Sequence, residues 1–176
     1  MLRTLVLNVN NFDVLLCRKV AVITGKRFMD SLMRVVSKSG DGYLYGPLAL
    51  LALAVNVPTG ARFILSGLAA FAVMILVQKV VKHLVKRERP GGTVPGIRYL
   101  VDPPDKFSFP SGHTAGSFLL AVLLGCFFQV NTFPLYLWAS AVGFSRVYNG
   151  VHYPTDVIMG SVLGIASAWL GVALVT

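Results

Sequence analysis

Apolar runs free of charge alternate along this chain with short polar clusters, at intervals that suit helices crossing a bilayer. No Asp, Glu, Lys or Arg lies between Lys106 and Arg146, and none in the twenty residues after Asp156. Those stretches are long enough for helices of the roughly 20 residues that a bilayer core demands. In chain order, residues 43–57 form a first uncharged run, short for a span unless the preceding helix continues into it. It closes at Asn56-Val57-Pro58-Thr59-Gly60, residue types that make a turn. Residues 62–81 form the second run and pass without a breaker into a basic segment carrying Lys79, Lys82, Lys86 and Arg89. Residues 91–108, rich in proline and glycine and carrying Arg98, Asp102, Asp105 and Lys106, read as an aqueous loop. A third span opens at Pro110-Ser111-Gly112-His113 and runs to about Val130, Asn131 and Thr132 turn the chain, and residues 133–148 form the fourth. The fifth runs from about Thr155 to the end.

The first forty residues follow a different pattern. Phe28, Leu32, Val35 and Val36 recur at helical spacing while Arg27, Arg34 and Lys38 fall largely on the other side, as in a helix lying in the membrane interface. Residues 5–24 are apolar enough to suggest a span, but Asp13, Arg18 and Lys19 in the interior would each cost about 2.5–3.5 kcal/mol. The same charges, with no small-residue cleavage site after them, argue against a removed signal peptide. The predicted architecture is therefore all-α. Residues 41–176 form an integral membrane bundle of about five spans, or six if residues 5–24 also cross, and residues 1–40 supply interfacial amphipathic helices. No repeat or linker divides the chain, so one membrane domain over residues 1–176 is expected.

Composition sharpens this picture in two respects. A hydrophobic content of 55% and a mean hydropathy of +0.71 exceed those of an ordinary soluble domain. The formal charge of +9 would suit nucleic acid, but the basic residues fall in blocks beside apolar runs, so anionic headgroups or a phosphorylated substrate fit better and no nucleic-acid partner is expected. Cys17 and Cys126 make neither a disulfide framework nor a metal-ligand spacing, and Cys126 reads as a packing residue in its apolar run. No sequence feature sets an oligomeric state.

The order of spans supplies a test of function. The second ends at the Lys82–Arg89 segment, the third begins at His113, the fourth ends at Arg146, and the fifth begins at His152 and Asp156, so all four ends face one side. Ionisable groups gathered at helix ends of a membrane bundle point to a functional site. His152 and Asp156 are four apart, so a helix starting at Pro154 brings the carboxylate close below the imidazole, the arrangement that orients a histidine as nucleophile or base. Arg146 adds a planar fork suited to phosphate oxygens. Lys82 and Arg89, seven apart, share a face if the helix continues to Arg89, with Pro90 marking its end. Ser111 and Gly112 open a helix whose free N–H groups favour a bound phosphate. Each cluster also has a plain structural reading: a capped turn for residues 145–156, a polar cap for His113, and snorkelling helix ends for Lys79, Lys86 and Arg87.

The three clusters in register are more specific than any one of them. Lys82-x6-Arg89-Pro90 (residues 82–90), Pro110-Ser111-Gly112-His113 (110–113) and Ser145-Arg146-x5-His152-x3-Asp156 (145–156) resemble the three-part motif of the type 2 phosphatidic acid phosphatase superfamily. The resemblance implies a membrane phosphatase that works without metal or other cofactor. In it His152 attacks phosphorus to form a phosphohistidine, Asp156 holds its tautomer, and His113 protonates the leaving oxygen. Lys82, Arg89 and Arg146, with Ser111 and the N–H groups near Gly112, bind the phosphoryl oxygens. His83, on another helix face from Lys82, is expected to be structural or interfacial.

The resemblance further implies a lipid phosphate or diphosphate as substrate, with phosphatidic acid, phosphatidylglycerophosphate, undecaprenyl diphosphate and a lipid A phosphate as candidates. The compact size suggests a bacterial inner membrane. With five spans, fifteen of the sixteen Lys and Arg residues lie on the catalytic side and only Arg62 opposite, which by charge alone would place that side in the cytoplasm. Family members usually place the site on the outer face, and several of these cations serve phosphate, so a periplasm-facing site is expected. The main rival is a non-catalytic membrane protein that binds anionic lipid through a basic rim, for which neither histidine matters. A vanadate-dependent peroxidase and a proton-relaying transporter fit less well, since peroxidases of that kind are usually soluble and larger and no charge sits midway in the third or fifth span.

Overall fold

The computed structural model describes the backbone of residues 2–176 and the side chains of residues 7–176. Its elements are α1 (Leu2–Ala21), α2 (Arg27–Ser39), α3 (Tyr45–Val55), α4 (Val57–Val85), the single turn α5 (Pro90–Thr93), α6 (Gly112–Phe128), α7 (Phe133–Tyr148) and α8 (Pro154–Val175). The only strand-like feature among the described residues is an antiparallel bridge between Glu88 and Phe107.

Local chemistry explains most boundaries. The Asn56 side chain accepts the Thr59 N–H at 2.9 Å and Pro58 sits in the first turn, so α4 starts at Val57. The five-residue turn expected at residues 56–60 thus shrinks to its cap. α4 stops at Val85 because Lys86 turns left-handed at φ 50°, and Arg89 lies in extended backbone. Lys82 and Arg89 therefore do not share a helical face. α7 opens where Asn131 accepts the Phe133 N–H at 3.0 Å, and α8 opens on Pro154, with Asp156 accepting the Tyr153 N–H at 2.8 Å.

α4 and α8, of 29 and 22 residues, are long and apolar enough to cross a membrane. At ~1.5 Å per residue, the 17 residues of α6 and 16 of α7 reach about 25 Å, while the 11 of α3 reach about 17 Å. α3 is thus too short to cross alone, and residues 40–44 form the turn that joins it to α2. The outward faces carry Leu50, Leu68, Leu76, Leu137, Ile158 and Leu174 exposed, the reverse of a water-soluble bundle. Cys126 is also exposed, so it is not the packing residue that its apolar run suggests.

α8 is the axis, packed on α6 and α4. Where lipid surrounds helices the gain comes from close contact rather than from water release, so small residues line such seams. A Cβ on Gly160 would sit 2.5 Å from the Ser111 carbonyl oxygen, and one on Gly164 would overlap the Ala115 carbonyl. Gly171 meets Ser66 and Ala70 of α4 in the same way. Between α3, α4, α6 and α8 lies an apolar core that includes Ala52, Phe63, Ala70, Met74, Leu119, Leu123 and Ala168. α1 and α2 lie beside α7, toward the end of the bundle where the motif residues gather.

Candidate active site

Backbone hydrogen bonds tie the three motif segments together. Gly91 N–H donates to Gly150 O at 2.9 Å, joining the first segment to the third, and Ser111 N–H donates to Asp156 O at 3.0 Å, joining the second to the third. Gly150 is at φ +73°, where a Cβ would also strike Arg98 O, so this junction needs glycine.

His152 stands in the loop between α7 and α8 and is 1% exposed. Its Nδ1 lies 3.5 Å from Asp156 Oδ2, at the far edge of hydrogen-bonding range, and its Nε2 lies 3.3 Å from Arg89 Nη1. A guanidinium donates only, so Nε2 carries the lone pair and the ring proton sits on Nδ1, facing the carboxylate. Burial pushes the His152 imidazole down to about 4, against the pull of Asp156 and with the help of the Arg89 and Arg146 charges. The ring is neutral at physiological pH, with its Nε2 lone pair turned toward Arg89.

Two cations act on that ring, Arg89 by contact and Arg146 through its charge. Arg89 Nη1 donates to Val151 O at 2.7 Å, and its Nη2 reaches Asp105 Oδ1 at 2.8 Å. Lys82 Nζ holds the other oxygen of Asp105 at 2.5 Å, so Lys82 and Arg89 meet through a shared carboxylate. Burial raises the Asp105 carboxyl, but the hydrogen bonds and charges of Lys82 and Arg89 outweigh it and hold the group below the usual range. Arg146 is buried, donates from Nη1 to Ser37 Oγ of α2, and has no partner for its Nε among the described residues. A buried, unpartnered N–H on a guanidinium is costly and suits an anion.

His113, in the first turn of α6, meets Asp41 through Nε2 at 2.6 Å. His113, Asp41, Arg146, Ser37, Lys38 and Asp102 line a cavity of about 460 Å³. An adjoining groove of about 420 Å³ shares Asp41 and His113 and continues over Tyr45, Phe71, Met74 and Ile75, so a polar chamber opens onto an apolar track. Ser111 caps α6 and its Oγ accepts from Thr114 at 2.9 Å. At Gly112 a Cβ would meet the Gln78 side-chain amide of α4, which would have to swing aside.

Four site groups escaped the motif reading. Asp13 and Arg87 pair at 2.6 Å, and Arg87 pairs in turn with Asp156 at 2.8 Å, so Arg87 is no snorkelling helix end. Asp41 and Asp105 hold His113 and the Lys82–Arg89 pair. The available signal was scarcity. Of seven acidic residues in a chain of net charge +9, four, Asp13, Asp41, Asp105 and Asp156, are used here. His83 hydrogen-bonds the Lys79 carbonyl at 2.7 Å on the outside of α4, away from the site.

Comparison with known proteins bears on the family and the fold. The profile of the PAP2 superfamily matches residues 63–176. An undecaprenyl-diphosphatase of Sulfolobus acidocaldarius is 32% identical over 174 residues, covering 95% of this chain and 78% of that protein. The bacitracin transport permease protein BcrC of Bacillus licheniformis is 34% identical over 105 residues, 60% of this chain, which spans only about half of BcrC (52%). Among solved structures, the transmembrane PAP2 type phosphatidylglycerolphosphate phosphatase of Bacillus subtilis superposes with a TM-score of 0.73 at 25% identity, covering 95% of this chain and 86% of that one.

Proposed function

Because this chain belongs to the PAP2 superfamily, we propose that it is an integral membrane phosphatase that hydrolyses a lipid phosphate or lipid diphosphate through a phosphohistidine on His152. The observation that carries the reading is the setting of His152: a buried imidazole between a carboxylate at 3.5 Å and a guanidinium at 3.3 Å, within reach of the Arg146 charge, with Lys82 joined to the same guanidinium through Asp105.

In the first step Nε2 of His152 attacks phosphorus, the P–N bond forms, and the P–O bond to the leaving group breaks. His113 gives its proton to the departing oxygen. Lys82, Arg89 and Arg146, with Ser111 and the N–H groups at the start of α6, receive the charge that gathers on the phosphoryl oxygens. The proton on Nδ1 stays, so the phosphorylated ring is cationic and Asp156 stabilises it. In the second step water attacks phosphorus, yields a proton to His113, and inorganic phosphate leaves as the P–N bond breaks. Three fixed cations supply the role that metal ions fill in other phosphoryl-transfer sites, so turnover needs none.

The apolar track beyond His113 supports a substrate with a long hydrocarbon chain. The match to an undecaprenyl-diphosphatase along most of the chain favours an isoprenyl diphosphate as the first lipid to test, ahead of phosphatidylglycerophosphate, phosphatidic acid and a lipid A phosphate. The site faces the periplasm from the bacterial inner membrane. The cations Lys82, Arg87, Arg89 and Arg146 are buried or paired within the site, so they are weak topological signals. Phosphate release from these lipids, supplied to sealed right-side-out vesicles in the presence of EDTA, tests the reading. Release is expected, and is lost in His152→Ala. Turnover abolished by EDTA would remove the metal-free mechanism, and release only from inverted vesicles would reverse the sidedness.

A further inference from the structure

α1 carries no motif residue, yet it sends a carboxylate into the site. Asp13 is fully buried, an expensive position for a charge unless it is paired. It accepts the Thr155 N–H at 3.0 Å, receives the Thr155 hydroxyl, and binds Arg87 Nη2 at 2.6 Å. The other arm of Arg87, Nη1, binds Asp156 Oδ1 at 2.8 Å and the Thr155 hydroxyl oxygen at 2.8 Å, and the guanidinium lies 3.9 Å from the centre of the Tyr153 ring. The result is a continuous row, Asp13–Arg87–Asp156–His152, that begins in a helix outside the bundle and ends on the attacking imidazole.

Arg87 fixes the rotamer of Asp156, leaving Oδ2 for the Tyr153 N–H at 2.8 Å and for His152. It also cancels the negative charge that the cationic phosphoimidazole requires. Asp13 restores it: two carboxylates and one guanidinium leave the row at net −1, which the single positive charge gained by His152 brings to neutrality. We propose that Asp13 and Arg87 are positioning residues for the nucleophilic half-reaction, holding Asp156 in place while keeping the buried row one charge negative before phosphoryl transfer. The inference rests on His152 being the nucleophile.

The test compares Asp13→Asn, Arg87→Gln and the double variant with His152→Ala, all purified in detergent with folding checked by thermal melting. Asp13→Asn is expected to lower kcat about tenfold or more while KM stays within about twofold, since the lipid and phosphate contacts are untouched. Arg87→Gln leaves two carboxylates facing each other without a cation and is expected to be worse. The double variant removes one charge of each sign and restores net −1, so its kcat should exceed that of Arg87→Gln by about tenfold. A purely structural tie predicts the opposite, the double variant being the least active and least stable. A folded Asp13→Asn with unchanged kcat, or a double variant that unfolds or is no more active than Arg87→Gln, overturns the inference. Turnover by His152→Ala would instead overturn the proposed function on which it rests.

Discussion

Asp105 commits its carboxylate to Lys82 and Arg89, two cations that the proposed mechanism assigns to phosphoryl oxygens. A substrate phosphate has to displace it, so Asp105→Asn should lower KM by about threefold and tighten inhibition by inorganic phosphate. The gain is modest because Asp105 is 45% exposed and the competition is screened. A steady-state titration checks this, and a raised KM would show that Asp105 orders the cations instead of competing. His152 sets a pH signature. An ordinary histidine protonates near 6.5, but this one stays neutral down to about 4 because it is buried beside Arg89 and Arg146. The acid limb of kcat/KM that reports the nucleophile is therefore expected near pH 4. Stability moves in the matching sense. The unfolded chain takes up this proton near 6.5 and the folded one refuses it until about 4, so the contribution of His152 falls as pH drops through that window. An acid limb near 6.5 would mean that the attacking ring is exposed. At this scale the three-part motif was readable because its residues keep fixed spacings. Asp13, Asp41 and Asp105 lie outside that motif, and they reach the site through contacts spanning 16 to 142 residues.

α8 carries two duties along one helix. Its first turn presents Asp156, and Gly160 and Gly164 then let α6 approach so closely that Ser111 N–H bonds the Asp156 carbonyl. Gly164→Val should cost about 1–3 kcal/mol by overpacking and should cut turnover as well, because parting α6 from α8 separates His113 and Ser111 from His152. Detergent-resistant folding with full activity in that variant would show that the seam is more compliant than the geometry implies. Most helices were legible from the alternation of apolar runs and turn residues. The end of α4 was not. Pro90 is the visible breaker, but the helix stops at Val85, where Lys86 turns left-handed. Arg87 is then held by Asp13 and Asp156, Ser108 N–H bonds Arg87 O at 2.8 Å, and Glu88 bridges to Phe107. These tertiary partners outweigh the local helical preference, and no window of sequence contains them.

Across the molecule, the first forty residues and the bundle form one site. The amphipathic character of α2 was apparent in its two-sided pattern, but its link to the site runs through single polar groups, Ser37 on Arg146 and Asp30 on Tyr148 at 2.8 Å, joined just beyond the helix by Asp41 on His113. Such links leave no periodic trace, which is why none of these contacts was legible in the sequence. The bundle places one imidazole deep among the cations and the other at the mouth of an apolar track, an arrangement suited to a phosphorylated headgroup entering from the interface with its chain still in lipid. All of this turns on a covalent phosphate passing through His152. The most direct measurement is to mix the purified protein with an isoprenyl diphosphate, quench in alkali within the first turnover, and locate the phosphate by peptide mass spectrometry. An alkali-stable, acid-labile phosphate on His152, absent from His152→Ala, is expected. Phosphate on another side chain, or full turnover by that variant, would contradict it.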